Sequence, residues 1–164
     1  MIFTLATYTL VHVLISLAGI GSGLIVMSGL LGGKRLDGWT AIFLSTTVLT
    51  SVTGFGFPFH EFLPSHAVGI LSLIVLAVAI PARYTFRMAG PWRWVYVITA
   101  MVALYFNVFV LVAQLFLKVP ALKALAPTQS EPPFAIAQGL VFAAFVVLTI
   151  AAVIKFRPSP MRLA

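Results

Sequence analysis

LATYTLVHVLISLAGIGSGLIVMSGLL, residues Leu5–Leu31, is a continuous apolar run without one charged side chain. A helix rises about 1.5 Å per residue, so about 20 such residues cross a hydrocarbon layer of about 30 Å. Comparable runs fill most of the remaining chain, at Gly38–Phe57, Ser65–Phe86, Pro91–Leu117 and Pro133–Ile154. Only 8% of residues are charged and 62% are hydrophobic, too little polarity to cover the surface of a water-soluble domain. The expectation is an all-α bundle of five transmembrane helices, a single domain over residues 1–164.

The first run lacks a basic stretch before it and an obvious small-residue cleavage site after it. It therefore reads as a retained helix rather than a signal peptide. Cysteine is absent, which rules out disulfides, thiolate metal sites and iron–sulfur clusters in this chain. The formal net charge of +7 does not point to nucleic acid, because the basic residues sit in short flanks beside the runs rather than on one face. Lys34 and Arg35 follow the first run, Arg83, Arg87 and Arg93 lie around the third junction, and Lys155, Arg157 and Arg162 follow the last. With five spans these eight fall on one side, leaving Lys118 and Lys123 on the other. The positive-inside rule then predicts an outside amino terminus and a cytoplasmic carboxyl terminus. Trp39, Trp92 and Trp94 fall at the same inner interface, where an amphipathic ring is stable.

Helical spacing places Tyr8, His12, Ser16, Gly19 and Gly23 on one arc of the first span. Gly19 and Gly23 form a small-xxx-small pair that lets another backbone approach, so His12 is expected to point into the bundle. Thr46, Thr50 and Thr53 share a face of the second span, and each hydroxyl can return to a carbonyl one turn back without an outside partner. The run GFGFPFHEFLPSH ends that helix, and Pro64 with Ser65 suits the start of the next. Asn107 and Gln114, seven residues apart, lie on one face of span four. Ala137, Ala144 and Ala151 form a close-packing seam on span five, with Gln138 near its outer end. The intervening KVPALKALAPTQSEPP, residues Lys118–Pro133, holds four prolines and has room for a helical turn or two at Ala121–Ala126.

KRLDGWT at Lys34–Thr40, TGFGFPFHEFLPSHAVGI at Thr53–Ile70 and the alanine-lined last span resemble a group of short hypothetical proteins of bacterial inner membranes. That resemblance implies a multi-pass protein of the bacterial inner membrane and supplies no activity, cofactor or catalytic residue.

Polar side chains concentrate in the outer third of the expected bundle: His12, Gln114 and Gln138 within spans, and His60, Glu61 and His66 at the mouth, with Asn107 deeper. Polar groups in hydrocarbon are costly unless paired, which makes this layer the candidate site. A metal ion would use His60, Glu61 and His66, with His12 from below, although that spacing matches no standard site. A b-type haem would use His12 and His66. A quinone or another amphipathic lipid would place its head among His12, Gln114 and Gln138, under a cover formed by Lys118–Pro133. Against all three stands simple hydrogen bonding between helices, which needs no ligand. Phosphate loops, nucleophile elbows, zincin motifs and paired carboxylates are absent, which disfavours an independent enzyme for soluble substrates. The expected function is a small-ligand binding protein or accessory subunit in the lipid bilayer, alone, as a homo-oligomer or with other membrane subunits. The alternatives are a small oligomeric transporter or channel, and a haem- or quinone-linked redox protein.

Overall fold

The computed structural model describes residues 4–58 and 64–158, and within them the chain is all helical, with no strand. Six helices follow in order: α1 Leu5–Leu31, α2 Asp37–Gly54, α3 Pro64–Tyr84, α4 Trp92–Lys118, α5 Pro120–Leu125 and α6 Pro132–Lys155. Four of them, α1, α3, α4 and α6, are long and apolar enough to cross a membrane. The first expected span coincides with α1, whose start is set by Thr4: its hydroxyl accepts from the Thr7 backbone N–H as an N-cap. The others shift by one to three residues at their ends. α3 begins at Pro64, which puts Ser65 inside the first turn rather than at the cap.

α1 and α2 form an antiparallel hairpin along the full length of α2. Tyr8 and His12 meet Thr53, Gly19 faces Thr46 and Thr47, Gly23 faces Phe43, and Gly29 lies under Leu36. The close approach requires glycine. A Cβ on Gly23 would stand 2.5 Å from Leu104 Cδ1 and 2.9 Å from the Phe43 ring, whereas one on Gly21 would meet nothing within 4 Å. This is a small-residue seam, where the helices approach closely because the glycines present no side chain of their own.

α3 packs against α2 and α4, and α4 also touches α1, so α1 to α4 close into a ring. α6 lies outside that ring against α4 and α1. The shared core is densest toward the end where α1 finishes: Leu30, Phe43, Leu76, Tyr96, Val97, Met101, Leu104 and Phe156 are buried there. At this end Arg83, counted from sequence among the flanking charges, is a buried side chain of α3. Its guanidinium donates to the Asp37 carboxylate at the first residue of α2 and stands over the Tyr96 ring with Cζ 5.0 Å from the centroid. Arg93 donates to the carbonyls of Val153 and Phe156, satisfying acceptors that the end of α6 leaves open. The charges at this end thus tie helix ends together as well as flanking them.

Candidate functional site

At the opposite end, where α1 begins, the ring encloses a cavity of about 480 Å³. Four helices contribute: the first half of α1, the last turn of α2 with Phe57 and Pro58, the first half of α3 and the second half of α4. Below the cavity α1 and α4 meet at Gly23 and Leu104. Ile20, Ser51 and Ser72 form its deep end and are buried, while Leu17, Gln114, Leu115 and Lys118 are exposed at its rim. α6 contributes nothing to the wall.

Of the residues expected from sequence, His12, His66, Asn107 and Gln114 all line this one space. On α4 the stripe Asn107, Leu111, Gln114, Lys118 follows from helical spacing, with polar groups at both ends and leucine between. Asn107 donates from Nδ2 to Thr47 Oγ1 at 3.1 Å, which fixes its amide beneath Gly19. His66 is buried and lies flat against Phe55, with ring centroids 5.9 Å apart and planes 25° apart. His12 Nδ1 is 2.8 Å from Thr53 Oγ1, and its ring meets the edge of Phe57 at 5.1 Å. Tyr8 donates from its hydroxyl to the Thr53 carbonyl at 2.6 Å, holding the end of α2 against α1.

Gln138 lies elsewhere. It is buried between α6 and α4, with Nε2 donating to the Phe109 carbonyl at 3.0 Å and Oε1 without a partner among the described residues. The physical reason is rotational: α6 is apolar on nearly every side, so its sequence carries no polar arc to fix which face turns inward. Nor does the Lys118–Pro133 segment cover the cavity. Only Lys118 borders it, while α5 packs on α4 and Gln129 donates to the Ala113 carbonyl. His60 and Glu61 lie outside the described residues, and among those described no three His, Asp or Glu side chains gather as metal ligands.

The sequence leaves Ser51 and Ser72 unmarked, and its Thr50 and Lys118 read as a self-satisfied hydroxyl and a flanking charge rather than as site residues. Ser51 donates to the Thr47 carbonyl at 2.9 Å and reaches Ser72 Oγ at 3.2 Å. Thr50 Oγ1 is buried at the cavity wall with no partner among the described residues. A buried hydroxyl left without a partner costs stability. The available signal was Thr50's place on the hydroxyl face of α2; what could not be read was which of those hydroxyls turns back on its own helix.

The cavity walls are otherwise apolar, from Val13 and Leu17 on α1, Phe57, Val68 on α3, and Phe106, Val110 and Leu111 on α4. An apolar chamber with a few convergent polar groups is the general form of a small-molecule site. No protein family, curated protein or solved structure matches this chain.

Proposed function

We propose that this chain is a five-span protein of a bacterial inner membrane that holds a small amphipathic ligand in the cavity of its outer half. The observation that carries the reading is the cavity of about 480 Å³, apolar in its walls, with His12, His66, Asn107 and Gln114 facing one space. A lipid-soluble molecule with a polar head matches both halves of that lining: tail against valine, leucine and phenylalanine, head against imidazole and amide.

The fifth crossing in this reading is α2. Its 18 residues extend about 27 Å, close to the thickness of the hydrocarbon layer. Part of its low overall hydropathy comes from hydroxyls turned away from lipid: Thr40, Thr47 and Ser51 are buried, and each is hydrogen-bonded within the protein. Trp39, Ile42, Leu49 and Val52 are the large apolar side chains it exposes, and Ser45 is the one hydroxyl residue exposed beside them. Pairing along α1 supports a full crossing. The eight-to-two division of basic residues supports an outside amino terminus, which puts the cavity in the outer leaflet half. The resemblance to short bacterial membrane proteins supports the inner membrane.

A channel is less well supported, because the cavity is closed below by Ile20, Gly23 and Leu104 and its deep end bears no charged side chain. Photolabelling in membranes tests the binding reading. An alkyl-diazirine amphiphile should mark Ile20, Val110 and Leu111. Labels confined to outward residues such as Leu140 and Val147 would contradict an internal site.

A further inference from the structure

The hydroxyl of Thr53 carries one proton, and its neighbours decide where that proton points. Oγ1 lies 2.6 Å from the Leu49 carbonyl one turn back, 3.3 Å from the Thr50 carbonyl, and 2.8 Å from Nδ1 of His12. Two oxygens at 2.6 Å repel unless a proton lies between them, so Thr53 donates to Leu49. Its lone pair then accepts from His12, and the neutral imidazole carries its proton on Nδ1. Nε2 is left as an acceptor, without a hydrogen-bond partner among the described residues, on a ring that lines the cavity. The ring cannot easily turn over, since Phe57 meets it edge-on and Tyr8 holds the Thr53 backbone.

Resting on the ligand-binding reading above, we infer that the cavity selects amphiphiles whose headgroup donates a hydrogen bond from a hydroxyl. His12 Nε2 is the acceptor, and Thr53 is the positioning residue that fixes the tautomer. An ether, ester or quinone carbonyl offers only lone pairs and meets Nε2 in a repulsive contact. A phenol, a quinol or a long-chain alcohol offers the missing proton. The Gln114 amide and Lys118 ammonium, exposed at the rim, suit the acceptor side of such a headgroup.

The test uses the whole chain in lipid nanodiscs and two probes that differ by one proton donor, 4-nonylphenol and its methyl ether. Calorimetric affinities are corrected for partition into empty discs. The phenol should bind about tenfold more tightly, the worth of one net hydrogen bond. In Thr53→Val the Nδ1 acceptor is gone and the Nε2–H tautomer becomes accessible, so the preference should fall to about twofold or less. Decan-1-ol separates the two sources of the same chemistry: affinity like that of the phenol assigns hydroxylated lipids in general, and weak binding assigns phenols and quinols. Equal affinity of phenol and ether in the wild type overturns the inference while leaving a ligand site in place. Binding of neither overturns both readings. If Thr53→Val does not fold, nitrogen NMR of the His12 imidazole in the wild type decides the matter: a protonated Nδ1 supports the assignment, and a protonated Nε2 overturns it.

Discussion

His12 Nδ1 and Thr53 Oγ1 stand 2.8 Å apart, joining α1 to α2 where the hairpin borders the cavity. Removing either partner loses this contact, and removing both should cost less than the sum. A double-mutant cycle of His12→Phe and Thr53→Val, followed by thermal unfolding in detergent, should give a coupling of about 0.6 kcal/mol and no more than about 2. Strict additivity would mean that the two side chains do not interact.

The glycines of α1 differ in their surroundings, and so should their alanine variants. Gly23→Ala drives a methyl group into Leu104 and the Phe43 ring and should destabilise by about 1–3 kcal/mol. Gly21→Ala, two residues away in open space, should be neutral or stabilise by up to about 1 kcal/mol through helix propensity. Equal effects in an unfolding assay would place the α1–α2–α4 crossing elsewhere.

Arg83 and Asp37 form an unequal pair, with side-chain exposures of 2% and 69%. Asp37→Ala leaves a buried guanidinium with the Arg35 carbonyl, the Met88 sulfur and the Tyr96 and Tyr84 rings as its partners among the described residues. The expected loss is about 1–3 kcal/mol, below that of a fully buried pair because water reaches the carboxylate. Adding Arg83→Met should recover part of it. A double variant less stable than Asp37→Ala would show that the guanidinium contributes more through the carbonyl and ring than it costs to bury.

The absence of native cysteine makes topology directly measurable. Ser130→Cys should react with an impermeant thiol reagent added to intact cells, and Arg157→Cys only after the membrane is opened. Reaction of both from one side would mean that α6 does not cross, and the reversed pattern, with only Arg157→Cys reacting in intact cells, would contradict the five-span topology with an outside amino terminus.

Long apolar runs made the helices legible, because length and hydropathy alone decide whether a segment suits lipid. The α4 stripe was legible for a similar reason: Asn107 and Gln114 are seven residues apart on a helix whose other faces are apolar. Gln138 misled because α6 offers no such contrast. Thr53 was read as satisfied by its own backbone, and it does bond Leu49, yet its lone pairs also hold His12. Threonine spacing reports the first bond and is silent on the second. Arg83 looked like a flanking charge because its burial depends on Asp37 and Tyr96, contributed by two other helices.

The cavity among α1, α2, α3 and α4 should hold an amphiphile. Native mass spectrometry of the chain released from its own membrane in mild detergent tests it most directly, with Val110→Trp as the variant that fills the space. One amphiphile of defined mass should accompany each wild-type chain and be lost from a folded Val110→Trp chain. A wild-type chain that flies bare, or a filled variant that retains the same adduct, would contradict it.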